Sequence, residues 1–153
     1  MSLIVLDSSV IAEYANVSGK FNAQANVIFG SLNKGELTAI VAPPSLSEVF
    51  YVMSRLYERG GMEKPDEMAS RLCEYLYYHP NVEVADMPLS LIIEAARIKN
   101  ALRLALTDCY VLALSELRKC KAVFRHREEE MRKILDKLEK RFQIVFLEDY
   151  GTY

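Results

Sequence analysis

Residues 3–10 read LIVLDSSV, an apolar run followed by an acid, two serines and a valine. A short run of branched apolar residues is typical of a buried strand in a parallel sheet. Asp7, Ser8 and Ser9 are residue types that cap helices, so we expect the chain to pass directly from this strand into a helix that ends near Ala15. A strand followed at once by a helix is the repeating unit of an α/β fold.

The same alternation continues to the end of the chain. The predicted strands are residues 3–6, 37–41, 82–84, 121–124 and 144–147, and the further predicted helices are residues 22–32, 45–58, 65–78, 88–100, 107–119 and 128–141. Alternating strands and helices predict a three-layer α/β/α domain with a mostly parallel sheet of four or five strands. We find no repeat and no Gly/Ser linker in the sequence, so residues 1–153 are interpreted as a single domain.

The composition excludes several classes of protein. Hydrophobic residues make up 51% and charged residues 26% of the 153 residues, and no apolar run approaches the roughly 20 residues of a membrane helix. The first residues lack the basic segment of a signal peptide, so we expect a cytoplasmic protein. Three cysteines without a CxxC pair, and only two histidines, argue against a zinc site. The net charge of −2 provides no global basic field for nucleic acid, although local basic clusters remain available.

Three acidic residues lie inside strongly apolar segments. Asp7 follows the first strand, Glu48 lies in SLSEVFYVM, and Asp108 lies in LTDCYVLALS. Each one alone is explained equally well as a carboxylate favoured by a helix dipole. For the three acids together the helix dipole is not a sufficient explanation, because burying unpaired carboxylates is costly and clustered carboxylates repel one another. A divalent metal relieves both penalties, and oxygen ligands without His or Cys favour Mg²⁺ or Mn²⁺.

In this order the motifs resemble the PIN-domain ribonucleases that serve as toxins (VapC-like) of prokaryotic toxin–antitoxin pairs. In that family an apolar strand runs into Asp-Ser/Thr-Ser/Asn-Val, which residues 7–10 match. A glutamate after the second strand is matched by Glu48, and an acid opening an apolar helix in the second half is matched by Asp108. The resemblance spans essentially the whole chain. It implies a PIN-like fold and a metal-dependent endoribonuclease in which these three acids are catalytic and hold the metal.

The fourth acid of the family departs from its pattern here. It commonly follows the fourth strand as Thr-x-Asp, whereas residues 123–128 read VFRHRE, which places Arg125 at the Thr position. We choose Glu128 as the fourth catalytic and metal-binding acid, with Glu129 next. The alternative is a solvated run of charges that begins a helix. Arg125 and Arg127 form a basic patch that we expect to contact RNA phosphates.

Three other polar side chains lie close in sequence to the predicted acids. The resemblance implies that Ser9 contacts Asp7 or a metal-bound water, while helix capping explains Ser9 equally well. Thr107 is interpreted as a helix cap. His126 could serve as a general base, although a lone surface histidine is usually neither a base nor a ligand.

The resemblance also implies partners: an RNA substrate, a small antitoxin protein that lays a helix along a groove, and a second copy of the chain. Tyr and Met residues are concentrated on helices, so we expect a homodimer whose interface includes the surface around Met53 and Tyr75. No membrane partner is expected.

The expected reaction is Mg²⁺- or Mn²⁺-dependent hydrolysis of single-stranded or accessible RNA. Asp7 and Asp108 would hold the main ion, Glu48 would complete its shell or orient the attacking water, and Glu128 would support a second ion. One alternative is a catalytically inactive PIN-like module that binds RNA or protein. Another is a phosphatase of the haloacid-dehalogenase type, but that pattern requires an Asp two residues after the first, where this chain has Ser9.

Overall fold

The computed structural model describes residues 2–151, which form alternating strands and helices. In chain order these are β1 (Ser2–Leu6), α1 (Ser8–Ala15), α2 (Asn22–Asn33), β2 (Leu37–Val41), α3 (Pro43–Arg59), α4 (Pro65–Tyr77), β3 (Val82–Val84), α5 (Leu89–Leu102), α6 (Leu106–Arg118), β4 (Lys121–Phe124), α7 (Glu129–Arg132), α8 (Leu135–Arg141) and β5 (Ile144–Phe146), followed by a 3-10 turn (Leu147–Asp149). None of the helices in residues 2–151 combines the length and the apolar character needed to cross a membrane.

The five strands form one sheet in the order β3-β2-β1-β4-β5, and every pair of neighbours is parallel. Strand β1 lies at the centre, with Val5 opposite Ile40 of β2 and opposite Ala122 of β4. The predicted sheet of four or five mostly parallel strands is confirmed, and the sheet is parallel throughout. Because parallel strands end at the same edge, the loops after β1, β2 and β4 all meet there.

Helices cover both faces of this sheet. Alternate strand residues point to opposite faces, so Val5 and Phe124 enter one hydrophobic core with α5, α6 and α8. Leu6 and Val41 enter a second core with α1, α2, α3 and α4. Strands that are apolar on both faces are what two helical layers require. The three-layer α/β/α architecture predicted from the sequence is therefore present.

Helix α3 begins earlier than the sequence suggests. The prediction ended the second strand before Pro43 and Pro44 and began the helix at residue 45, whereas the helix begins at Pro43. Proline is tolerated in a first helical turn because the amide hydrogens there have no partner within the helix. The earlier start makes Glu48 a residue of the second turn, close to the end of β2.

The predicted helix over residues 128–141 is two helices. It is broken at Lys133 and Ile134, between α7 and α8. No glycine or proline marks the break in the sequence, which is why the spacing of apolar residues predicts a single helix. The other boundaries agree with the prediction to within one or two residues.

The predicted dimer surface around Met53 and Tyr75 is wrong in one respect. Met53 is 0% exposed and belongs to the core between the sheet and α3, so it is not available to a partner. Tyr75 is on the surface, where its hydroxyl donates to Asn33 at 3.2 Å. The large apolar side chains that α3, α4 and α5 do expose include Tyr51, Tyr77, Tyr78, Leu89 and Ile93.

Candidate metal and active site

The predicted acids converge on one cleft at the C-terminal edge of the sheet. The cleft has a volume of about 490 Å³, and its lining includes six acids: Asp7, Glu48, Asp108, Glu128, Glu129 and Glu130. Asp7 follows β1, Glu48 is on the helix after β2, and the three consecutive glutamates come after β4. Asp108 is in the first turn of α6. A larger groove of about 760 Å³ between α3, α4 and β3 contains a single acid, Asp86, in its lining.

Asp7 is the most deeply buried of these acids. It is 4% exposed and is the N-cap of α1, where its Oδ2 accepts from the Ser9 backbone N–H at 3.0 Å and from the Ser9 hydroxyl at 2.5 Å. Its other oxygen, Oδ1, is buried and has no hydrogen-bond partner among the described residues. The pKa of Asp7 is raised to about 6, mainly by burial and in part by the charge of Glu48. A buried carboxylate oxygen without a partner is a position where a cation would be stabilised.

Glu48 is held by two hydroxyl groups that come from different helices. Ser8 donates to Oε1, and Thr107 donates to Oε2 at 3.2 Å. Thr107 therefore contacts Glu48 instead of acting as the helix cap that the sequence suggested, because α6 begins at Leu106 after Ala105. Sequence reasoning missed Ser8. Its position next to Asp7 is the only local signal, and its partner lies 40 residues away in the chain.

Asp108 has the most strongly raised pKa of the cleft acids. Its pKa is raised to about 8, chiefly by burial and then by the charges of Asp7, Glu48, Glu128 and Glu130. These contributions all raise the pKa, so the buried and acidic surroundings of Asp108 disfavour its ionised form. A bound cation would reverse the effect, because it favours the ionised form of every carboxylate around it.

The donor set fits a hard divalent cation, although its members are not assembled as a finished shell. Oxygen ligands without nitrogen or sulfur are those that Mg²⁺ and Mn²⁺ prefer. The unpaired Asp7 Oδ1 and the raised pKa of Asp108 both indicate a deficit of positive charge. Within residues 2–151, however, no group of three His, Cys, Asp or Glu side chains is already placed to hold an ion. Metal binding would therefore require these carboxylates to move closer together.

Glu128 lies at the mouth of the cleft as the N-cap position of α7. One of its oxygens is 3.2 Å from Nε2 of His126. The charges of Glu128 and Glu130 both raise the pKa of Asp108, whereas Glu129 is not among its causes. Of the two glutamates after Glu128, Glu130 is thus the one whose charge acts on Asp108, although the sequence analysis placed Glu129 second.

The two arginines after β4 have different environments. Arg125 lines the acidic cleft. Arg127 does not line that cleft, because it is engaged elsewhere: its guanidinium donates to both oxygens of Asp149 at 2.8 and 2.9 Å and to Glu148 at 2.9 Å. It also lies over the ring of Phe146, 4.2 Å from the centroid. The expectation that Arg127 contacts RNA phosphates has no support in this geometry.

Arg127 instead fastens the C-terminal turn to the segment after β4, and this role can be tested by its effect on stability. We expect Arg127→Met to lower the free energy of unfolding by about 1–2 kcal/mol, because Glu148 and Asp149 lose a charged donor. Urea unfolding followed by circular dichroism measures the change. Arg97→Met, which removes an exposed pair with Glu94 at 3.9 Å, is the control and should change little. Equal effects of the two substitutions would contradict the assigned role.

Comparison with known proteins identifies the family. Residues 4–137 match the family model of the PIN domain. The chain belongs to the PIN domain family. The matched segment contains Asp7, Glu48, Asp108 and Glu128, and strand β5 lies beyond it. No curated protein sequence matches the chain at a significant level.

Solved structures related to this PIN domain are similar in fold and distant in sequence. The chain is similar to Mycobacterium tuberculosis VapC20, a sarcin–ricin-loop-cleaving toxin, with a TM-score of 0.61 and 14% identity over 78% of this chain and 86% of that one. It is also similar to VapBC2 from Rickettsia felis, solved bound to a DNA fragment from its promoter. That match has a TM-score of 0.60 and 12% identity, and it covers 85% of this chain and 92% of that one. A toxin–antitoxin complex from Klebsiella pneumoniae matches with a TM-score of 0.58 and 13% identity, over 97% of this chain and 99% of that one. At these identities the likeness concerns the fold.

Proposed function

We propose that this PIN domain is a metal-dependent endoribonuclease that cleaves single-stranded or accessible RNA. The observation that carries the proposal is the meeting of Asp7, Glu48 and Asp108 in one cleft, with an unpaired buried oxygen on Asp7 and a pKa of about 8 at Asp108. These residues come from parts of the chain that are far apart, and burying their charges is costly. A structural role does not explain such a cost, whereas holding Mg²⁺ or Mn²⁺ does.

In the proposed site Asp7 and Asp108 hold the main ion, Glu48 completes its surroundings, and Glu128 supports a second ion. A bound divalent cation would supply positive charge for the phosphate oxygens and make a nearby water more acidic at neutral pH. No nucleophilic side chain is then required.

The remaining chemistry is positioning by side chains of this chain. Ser9 holds Oδ2 of Asp7 and leaves the buried Oδ1 without a hydrogen-bond partner among the described residues. The hydroxyls of Ser8 and Thr107 fix both oxygens of Glu48, so its carboxylate can orient an attacking water instead of rotating freely. Arg125 provides positive charge at the cleft wall for a backbone phosphate. Among the described residues that line the cleft, Phe124 is the only Phe, Tyr or Trp. The cleft therefore offers few aromatic rings on which RNA bases could stack, and specificity would come from RNA shape and accessibility.

We further propose that the protein is the toxin of a toxin–antitoxin pair and has a small antitoxin partner. Support comes from the likeness to VapC20 and to the toxin–antitoxin complexes, all of which share this fold. A second, inactive form of the same fold is a competing candidate. The observation in its favour is that no three potential ligands in residues 2–151 are already arranged around an ion position.

A cleavage assay separates the two candidates. The purified chain is incubated with a structured RNA that has single-stranded loops, in Mg²⁺, in Mn²⁺ and in EDTA, and calorimetry measures divalent binding in parallel. We expect cleavage in the loops with either ion and none in EDTA. Cleavage that persists in EDTA would refute metal dependence. Metal binding without cleavage of any RNA would favour the inactive binding module.

The homodimer is proposed with a revised surface. Tyr51 of α3, Tyr77 of α4, Tyr78 directly after α4, and Leu89 and Ile93 of α5 are exposed apolar groups that a partner would cover. We expect sedimentation equilibrium to give a dimer at micromolar concentration, and Tyr78→Glu to shift the equilibrium towards monomer. A monomer at high micromolar concentration would contradict the proposal. Glu36→Lys, at an exposed position on the loop before β2, is the control and should leave the mass unchanged.

A further inference from the structure

Glu13 is a buried carboxylate with no role in the site as described so far. It is on α1, and its side chain is 6% exposed. Oε2 accepts from the backbone N–H of Phe21 at 3.1 Å, and Oε1 accepts from Nη1 of Arg125 at 3.3 Å. A carboxylate that is buried to this extent requires a cation, and Arg125 is the one that contacts it.

The loop after α1 closes over this carboxylate and leaves it little freedom. A Cβ atom at Gly19 would collide with Oε2 of Glu13, so the loop approaches closer than any other residue type would permit. The loop is fastened by the side-chain amide of Asn22, which donates to the carbonyl oxygens of Glu13 at 2.9 Å and Asn16 at 3.0 Å. Glu13 is therefore a fixed anchor.

Three nitrogens of Arg125 donate hydrogen bonds within the protein, and its remaining nitrogen, Nη2, is left for a ligand. Its backbone N–H donates to the Ser9 hydroxyl at 3.1 Å, its Nε donates to Nδ1 of His126 at 3.0 Å, and its Nη1 donates to Glu13. Nη2 makes no hydrogen bond to any of residues 2–151. The side chain is 33% exposed and lines the acidic cleft. A guanidinium with one open edge and a fixed plane is suited to a phosphate oxygen.

Without an anchor, an arginine beside several carboxylates would be attracted onto them. The attraction between opposite charges a few ångströms apart remains substantial near a protein surface, where water screens it only in part. A guanidinium paired with the cleft acids would neutralise them and would have no free donor for RNA. Glu13 is not among the residues that line the cleft, and it provides a competing, buried partner for Arg125.

We infer that Glu13 is a positioning residue that fixes the Arg125 guanidinium on the cleft wall as a phosphate-binding group for single-stranded RNA. This rests on the proposed function, since it names a contact for the same substrate. Ser9 links the two parts, because its hydroxyl accepts from the Arg125 amide and donates to Asp7. The phosphate contact and the metal-site acid are thus held by one side chain.

The test uses the sign of the change in RNA affinity. Glu13→Gln removes a negative charge close to the cleft, so simple electrostatics predicts tighter binding of RNA. Positioning predicts the opposite. The Phe21 amide and Arg125 contact different oxygens of Glu13, and glutamine replaces one of these oxygens with an NH2 donor and also lacks the negative charge, so the anchor of Arg125 is weakened. We expect roughly tenfold weaker binding of a short fluorescein-labelled single-stranded RNA, measured by anisotropy in EDTA so that no cleavage occurs.

Controls separate positioning from loss of fold and from charge. Glu36→Gln removes an exposed charge and should leave binding unchanged or slightly tighter. Arg125→Lys keeps the charge but not the planar fork, and should weaken binding to a similar extent as Glu13→Gln. In an Arg125→Ala background, Glu13→Gln should cause no further loss. Circular dichroism and urea unfolding establish whether each variant is folded. If Glu13→Gln does not fold, Arg125→Lys remains an independent test.

Tighter or unchanged binding by folded Glu13→Gln would overturn the inference, as would an equal loss in the Arg125→Ala background. In cleavage assays the inference predicts that Glu13→Gln raises KM while kcat stays within about twofold, because the group acts on substrate binding. Failure of the nuclease proposal is distinguishable: the wild-type chain would then bind RNA in an Arg125-dependent manner without cleaving it. Normal cleavage together with an unaffected Glu13→Gln variant would remove this inference alone.

Discussion

Asp7→Asn is expected to lower the rate of RNA cleavage by roughly 10² to 10³-fold. Asp7 is 4% exposed, and its Oδ1 is a buried anion with no partner in the described chain. Asparagine has nearly the same shape and keeps an acceptor for Ser9, but it offers neither the charge nor the second anionic oxygen that a hard divalent cation requires. The loss should therefore arise from metal binding and not from the fold.

Two measurements isolate this cause. Calorimetric titration with Mn²⁺ should show affinity that collapses in Asp7→Asn, while the urea midpoint in EDTA should be unchanged or higher. Asp86→Asn makes the same chemical change at an exposed acid in the groove beside β3 and should leave both metal binding and cleavage as in the wild type. Full cleavage by Asp7→Asn would exclude Asp7 as a metal ligand and would contradict the proposed site.

Asp108→Asn is expected to have opposite effects on function and on stability. It should abolish metal-dependent cleavage, yet in EDTA at pH 8–9 it should stabilise the chain by about 2 kcal/mol. The pKa of Asp108 is raised to about 8 in the folded protein, chiefly by burial, against 3.8 for the unfolded chain. We expect less than this whole difference in stability, because the side chain is only partly buried and water screens part of the charge.

The dependence on pH follows from the direction of the shift. Between pH 4 and 8 the unfolded chain loses the Asp108 proton while the folded, metal-free chain retains it, so stability falls as pH rises through this range. Asp7, with a pKa of about 6, contributes in the same direction. The advantage of Asp108→Asn should accordingly vanish below about pH 4, and saturating Mg²⁺ should reverse it by stabilising the wild type alone. Asp86→Asn is again the control. A wild-type chain that becomes more stable in EDTA as pH rises from 5 to 8 would contradict the assigned repulsion.

The order of the elements follows from the local sequence. Short runs such as residues 3–6 and 122–124 are apolar at every position, as strands buried on both faces must be, and the segments between them have helical spacing. The parallel sheet is then a consequence of alternation. Asp7, Glu48 and Asp108 are visible in the same way, because an acid inside an apolar segment conflicts with its surroundings. Their joint occurrence in one cleft agrees with the prediction, while their role as metal ligands stays a proposal.

Where the structure shows contacts that the sequence analysis did not foresee, these contacts join residues that are distant in the chain or lack a local marker. Arg125 and Arg127 look alike in the sequence, yet strand order places Arg125 against Glu13, 112 residues away, and Arg127 against Glu148, 21 residues away. Met53 looked like a surface residue of a Tyr- and Met-rich helix, but the side of α3 that faces the sheet buries it completely.

Periodicity thus determined which segments are strands and helices and which acids are out of place, because burial imposes a repeat along each element. Only the tertiary structure decided how the charges are paired. Placing β4 beside β1 brings the segment after β4 against α1, so that Ser9 contacts both Asp7 and Arg125. A charged side chain is stabilised by whichever opposite charge lies within a few ångströms, and that neighbour is fixed by strand order, on which the local sequence carries no information.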